Sequence, residues 1–259
     1  MGIYRMQMAI TRQVSRSIAE CELTFLARQP IDLVRARHQH SQYEAALQAL
    51  GLAVLSLPEE PDLPDAVFVE DAALVLDECA IILRPGAPSR LPEAAAIAAV
   101  MAPYRTLRYI EGPATMDGGD ILRVGNTLYV GVGQRTSRDA LQQLRLLVSP
   151  LGYEVRPVVT RGCLHLKSAA TEVAPGLLLV QPEWIEPGAF PGVKILEVDP
   201  SEPYAANALK VGEAVLYPAS YPSTLRRLHQ AGIRPITVEA DELAKAEGAL
   251  TCCSLIFNL

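Results

Sequence analysis

The feature that most constrains the fold is a pair of short apolar runs about a polar or glycine turn, which returns four times. Ala72–Leu76 and Ala80–Leu83 flank Asp77-Glu78, and Asp120–Val124 and Thr127–Val130 flank Gly125-Asn126. Ala169–Val173 and Leu177–Val180 flank Pro175-Gly176, and Ala208–Val211 and Ala214–Tyr217 flank Gly212-Glu213. Each is a hairpin signature. Helical spacing follows over Leu91–Met101 and Thr136–Val148, briefly over Ser223–Gln230, and most weakly after Gln181. A further strand closes each unit: Thr106–Ile110, Tyr153–Arg156, Val193–Leu196 and Ile233–Val238. A ββαβ unit thus recurs at roughly 40 to 50 residues, a period that signals a radial or stacked architecture.

A fifth unit forms only if the ends join. A C-terminal strand Ser254–Leu259 would pair with Met6–Thr11, followed by a helix over Ile31–Leu50 and a strand over Leu52–Leu57. Five units about an axis make a closed ring, an α/β architecture read as one domain over 1–259. Cys252 then starts a strand near the centre. In such a ring the entry loop of every hairpin faces one central cavity, so residues distant in sequence converge.

Composition narrows the function. Half the residues are hydrophobic, yet no apolar run approaches the ~18 residues of a spanning helix. The five cysteines are odd in number and lack metal-type spacing, which suits free thiols in a reducing cytoplasm rather than a disulfide framework or zinc site. No export leader is expected, and Met1-Gly2 is followed by Met6 where a myristoylation signal needs Ser or Thr. The net charge of -6 without a basic run argues against nucleic acid and is compatible with a small cationic ligand.

The entry loops carry the chemistry. They read Asp65-Ala66-Val67-Phe68-Val69-Glu70-Asp71, Ala114-Thr115-Met116-Asp117-Gly118-Gly119-Asp120 and Cys163-Leu164-His165-Leu166-Lys167-Ser168, with Thr251-Cys252-Cys253-Ser254 at the tail. Taken singly, each also reads as ordinary structure: solvated turns, a satisfied core histidine, two thiols acting as small hydrophobes. Taken together, they put a thiol, an imidazole and carboxylates at equivalent points of the repeat. A free thiol titrates near ~8.5, so a nucleophilic cysteine needs a base or a cationic neighbour.

These runs, in this order and with Asn207 after Tyr204-Ala205-Ala206, resemble the dimethylarginine dimethylaminohydrolases of the pentein, or guanidine-modifying, superfamily. The resemblance implies a five-bladed α/β propeller and a hydrolase that converts N-omega-methylated arginines to citrulline and (di)methylamine through a covalent cysteine thiouronium. It implies Cys252 as nucleophile, His165 as general acid then base, and Asp117 holding His165, where many relatives have Glu. Asp71 with Glu70 would grip the guanidinium, and Arg90 and Arg135 the substrate carboxylate. Asp65 and the carbonyl of Leu23, in a mobile lid, would take the ammonium, with Phe68 over the methylene chain. Cys253, one residue along a strand, would face away and pack. No cofactor or metal is implied, and a homodimer is a candidate assembly. The competing readings are an arginine deiminase-like or other guanidino or ureido hydrolase, a non-catalytic propeller-type binding protein, and a thiol-based metal or redox module.

Overall fold

The computed structural model describes residues 6–186 and 188–259; the Met1-Gly2 start lies outside them. After β1 (Gln7–Arg12), α1 (Leu33–Ala49) and β2 (Ala53–Leu57), the chain repeats one plan. The second blade is β3 (Ala73–Val75), β4 (Ala80–Ile82), α2 (Leu91–Met101) and β5 (Leu107–Tyr109). The third is β6 (Ile121–Val124), β7 (Thr127–Gly131), α3 (Arg138–Val148) and β8 (Glu154–Val158). The fourth opens with a four-residue helix, α4 (Leu166–Ala169), then β9 (Ala170–Ala174), β10 (Leu177–Val180) and β11 (Lys194–Glu197). The fifth is β12 (Leu209–Val211), β13 (Ala214–Pro218), α5 (Pro222–Gln230) and β14 (Ile236–Val238); α6 (Asp241–Ala244) and β15 (Leu255–Asn258) follow.

The strands make five three-stranded sheets. In each, the middle strand pairs antiparallel with one neighbour and parallel with the other, as β4 does with β3 and β5. The first blade obeys the same rule only because the tail supplies its hairpin partner: β1 runs antiparallel to β15, with Met8 opposite Phe257, and parallel to β2. A parallel neighbour needs a crossover, and α1, α2, α3 and α5 provide it in four of the blades. The inner strands touch across blades, β15 with β3, β6 with β9 and β9 with β12, so the sheets form the expected five-unit α/β propeller.

Local chemistry sets the helix starts. The Asp32 side chain accepts from the Arg35 N–H at the head of α1, and that of Ser137 from the Ala140 N–H at the head of α3. At α5, Pro222 fills the first turn and the Glu202 carboxylate accepts from the N–H groups of Ser223 and Thr224. The weak stretch after Gln181 forms only a 3-10 turn, Pro182–Trp184, since Pro191, Gly188 and Gly192 interrupt any helix there. One further expectation is corrected: Cys252 lies not in a strand but in a 3-10 turn, Thr251–Cys253, with β15 starting three residues later. No helix among the described residues is long and apolar enough to cross a membrane.

Candidate active site

Each blade delivers one turn to the centre at the same point of its plan. Asp71 lies in the turn Val69–Ala72 before β3, Asp117 heads the turn Gly118–Asp120 before β6, and His165 precedes α4 and β9. Asn207 stands two residues before β12, and Cys252 lies in the turn before β15. The Val69–Ala72 turn contacts both the Thr251–Cys253 turn and the Gly118–Asp120 turn, and the last of these contacts α4. The consequence is one cavity walled by Asp65, Phe68, Asp71, Arg90, Arg135, His165 and Cys252.

A hydrogen-bonded chain fixes its floor. His165 Nε2 is 2.9 Å from Asp117 Oδ2, and Asp117 Oδ1 accepts from the Gly86 N–H at 2.7 Å. His165 Nδ1 looks toward Asp71 Oδ1 at 4.0 Å. Asp71 is fixed twice more, by Arg90 Nη1 at 2.6 Å and the Gly119 N–H at 2.8 Å. The Gly-Gly pair is a steric requirement. A Cβ at Gly118 would sit 1.9 Å from the Glu70 carbonyl oxygen, and one at Gly119 2.5 Å from His165 Nδ1. Asp71, Asp117 and His165 offer donor atoms within 4.8 Å of one another, a spacing a metal ion can use. Both carboxylates are already committed, to Arg90 and Gly119 and to His165 and Gly86, so the set is built as a relay.

Cys252 lines the cavity, while Cys253 is buried in the apolar cluster with Tyr43, Leu47 and Leu250. The two point apart because successive residues in a 3-10 turn are about 120° apart, not through strand alternation. Arg135 donates through Nη2 to Thr24 Oγ1 at 3.3 Å, and Asp65 accepts from the Glu22 N–H at 3.0 Å.

Three of the expected residues are placed otherwise than at a free position in the cavity. Arg90 uses Nε and Nη2 on Glu93 and further Nη2 contacts on the carbonyls of Asp65 and Phe68. With Nη1 on Asp71, one N–H remains for a ligand, so Arg90 cannot grip a carboxylate with its full fork. Glu70 is not among the residues lining the cavity: it pairs with Lys167 at 2.5 Å. Leu23 packs against the cluster that contains Cys252 and Cys253 and likewise does not line the cavity.

Charge and burial set the protonation states. Burial, then Glu70 and Asp71, pushes the Cys252 thiol up to about 12. Burial opposes a charge on His165, but Asp71, the hydrogen bond from Asp117, and Asp120 outweigh it and hold the imidazolium up to about 9. Asp71 moves the other way: burial resists its charge, yet His165, Arg90 and the Gly119 N–H keep it ionised. Burial lifts Glu93 to about 7 despite Arg90. At neutral pH these shifts favour a thiol at Cys252 and an imidazolium at His165.

Sequence reasoning expected a lid at Leu23 but missed the clamp that holds this roof. The carboxylate of Glu247 accepts from the backbone N–H groups of Thr24, Phe25 and Leu26, and Ser89 Oγ donates to Glu22. Glu247 is also the one non-glycine residue with positive φ, 56°, among those described. Gly248 beside it admits no side chain, since a Cβ would lie 2.1 Å from Phe68. The Glu247-Gly248 pair ahead of the cysteine motif was the available signal. With the roof in place the cavity is closed to about 10 Å³, room for about one water.

Residues 58–149 match the family model of arginine deiminase. The chain is 39% identical over 249 residues to the N(G),N(G)-dimethylarginine dimethylaminohydrolase of Streptomyces coelicolor, covering 95% of each. Among solved structures it is similar to the enzyme from Pseudomonas aeruginosa, in a cysteine-to-serine mutant complexed with citrulline. That match has a TM-score of 0.90 and 33% identity, over 98% of this chain and 100% of the other. It is similar too to a dimethylarginine dimethylaminohydrolase adduct with S-methyl-L-thiocitrulline, at TM-score 0.91 and 34% identity over 96% and 98%. With near-complete coverage at this identity, the chain belongs to the dimethylarginine dimethylaminohydrolase family.

Proposed function

We propose that the whole chain works as one hydrolase on N-omega-methylated arginines, with Cys252 as nucleophile and His165 as proton carrier. The observation that carries this is the cavity in which Cys252, His165 and an ionised Asp71 meet, with Asp65, Glu22 and Glu247 as the other carboxylates on its wall. A guanidinium is planar and permanently cationic, so Asp71 is the partner for its edge. Asp65 suits the ammonium, and Arg135, with the one remaining N–H of Arg90, suits the carboxylate.

The resting thiol is a poor nucleophile, and the substrate corrects that. A docked cation favours thiolate, and the thiol proton passes to solvent. The sulfur attacks the guanidinium carbon, and the imidazolium of His165 gives its proton to the departing amine as the C–N bond breaks. Nε2 is held by Asp117, which leaves Nδ1 for this transfer. The neutral imidazole then takes a proton from water, the oxygen adds to the thiouronium carbon, and the C–S bond breaks to release citrulline. Citrulline release from N,N-dimethylarginine, monomethylarginine and arginine is the test. Turnover of the methylated compounds well above arginine is expected; the reverse order would make the arginine deiminase-like reading correct.

A further inference from the structure

Asn207 stands at the same point of its blade as the reactive groups do in theirs, yet it does not line the catalytic cavity. It is 4% exposed, and a buried amide has two N–H groups and two oxygen lone pairs to satisfy. Three of these are used, on two segments of the site. Nδ2 donates to Thr251 Oγ1 at 3.0 Å and to the Lys167 carbonyl at 3.1 Å, while Oδ1 accepts from the Thr251 N–H at 3.2 Å. The carbonyl and the N–H fix which way round the amide lies, since a flipped amide would set oxygen against oxygen and N–H against N–H.

Asn207 is itself held on both sides. Thr171, on β9, donates through Oγ1 to the Ala206 carbonyl at 2.6 Å and accepts from the Ala208 N–H at 3.0 Å, so the peptide groups flanking Asn207 are tied to the neighbouring blade. The turn it grips needs such support. Thr251–Cys253 is three residues of 3-10 helix with no side-chain cap, and hydrogen-bond geometry in such turns is poor. Tyr43 secures the flanks, donating to the Leu250 carbonyl at 3.1 Å and accepting from Ser254 Oγ at 2.7 Å. Inside the turn the bonds from Asn207 fall on Thr251, directly before Cys252.

The second partner of the amide lies in the histidine segment. Lys167 is two residues after His165 in α4, and the Leu166 N–H between them is held by Asp120 Oδ1 at 3.0 Å. One side chain therefore bridges the segment that carries the sulfur and the segment that carries the imidazole. We propose that Asn207 is a positioning residue for the reaction: its amide fixes the Cys252 turn against the His165 segment, so that attack on the guanidinium carbon and proton delivery to the departing amine share one geometry. The proposal rests on the hydrolase reading above and adds to it a residue that touches neither substrate nor reacting atoms. A displacement of about 1 Å at a reacting group costs on the order of a hundredfold in rate. The hydrogen bonds of Asn207 go to Thr251 and Lys167, not to Asp71, Asp65 or Arg135, the groups assigned to the substrate. Loss of the amide therefore falls on kcat and spares KM.

The experiment measures kcat and KM for citrulline release from monomethyl-L-arginine in the full native chain and its variants, with unfolding curves that keep each assay below the transition. Asn207→Ala should lower kcat by about tenfold to a hundredfold while KM stays within about threefold. Thr251→Val removes the hydroxyl at similar volume and keeps the N–H bond, so kcat should fall about fivefold, the worth of one neutral hydrogen bond. Thr251→Ser restores the hydroxyl and should recover most of that loss. Because Asn207→Ala and Thr251→Val cut the same bond, the double variant should match Asn207→Ala alone and not the product of the two. If Asn207→Ala does not fold, the contrast between Val and Ser at position 251 decides. A folded Asn207→Ala with kcat within about twofold of native, losses confined to KM, or equal kcat for Thr251→Val and Thr251→Ser would each overturn the positioning role while leaving the hydrolase standing. No citrulline from the native protein ends both readings.

Discussion

The floor and the roof of the catalytic cavity are held in opposite ways. The floor is dry and multiply bonded: Asp71, Arg90, Glu93, Asp117 and His165 are all at most 5% exposed, and each has a side-chain partner in the group. The roof is backbone of residues 22–26, much of it exposed, hung from the carboxylate of Glu247 and three further side-chain contacts, to Asp65, Ser89 and Arg135. Glu247 holds it from a left-handed backbone conformation, which costs an ordinary residue roughly 1–2 kcal/mol. The difference separates two tasks. Geometry that must not vary during bond-making is built into the blades, whereas the segment over them is held by a few contacts at the surface, the kind that opens at low free-energy cost.

The comparison breaks most sharply at the sulfur. Cys252→Ser should keep the fold and lower citrulline formation by at least about a thousandfold, because a hydroxyl is a far weaker nucleophile without a dedicated base. Near-native turnover in that variant would remove the chemistry assigned to the floor. Glu93→Ala should cost stability, by roughly 3–5 kcal/mol, since it removes one of the two carboxylates paired with a buried guanidinium and leaves Asp71 alone against it. Denaturant unfolding measures it, and a change within ~1 kcal/mol would show that Asp71 alone anchors Arg90.

The floor should also carry a pH signature that the roof lacks. His165 is held up to about 9 from an ordinary 6.5, so the folded state binds its proton more tightly than the unfolded chain. That contribution is complete below about 6.5 and disappears as pH rises through about 9, a change of about 3 kcal/mol at most. Unfolding free energies across this range should fall in the native protein and stay nearly flat in His165→Ala. Parallel curves would assign the pH dependence elsewhere. The smallest stability effect belongs to the roof. Glu247→Ala should move unfolding by no more than about 1 kcal/mol while raising KM about tenfold at similar kcat. A large loss of stability with unchanged KM would place the lid segment in the structural core.

Much of this site was legible beforehand for a local reason. The apolar alternation and turn residues of Asp120–Val130 or Ala208–Tyr217 specify hairpins from neighbours in the chain, and the same plan repeated five times places Asp71, Asp117, His165 and Cys252 at equivalent points. What was not legible depends on partners far away in sequence. Glu70 was expected beside Asp71, but Lys167, 97 residues on, draws it away. Arg90 was expected on the substrate carboxylate, but Glu93 on the next turn and Asp71 engage most of its N–H groups. The clamp of Glu247 on Thr24 spans 223 residues and has no periodic trace.

The sequence by itself therefore determined the blade plan, the closure of the ring by its two ends, and which reactive side chains arrive at the centre. Those follow from hydrophobic period and turn chemistry, which act over a few residues. Only the tertiary structure decided which of the converged charges line the cavity and which neutralise one another. Those outcomes turn on side-chain direction and burial, where an ångström or a single competing partner changes a binding group into a structural one.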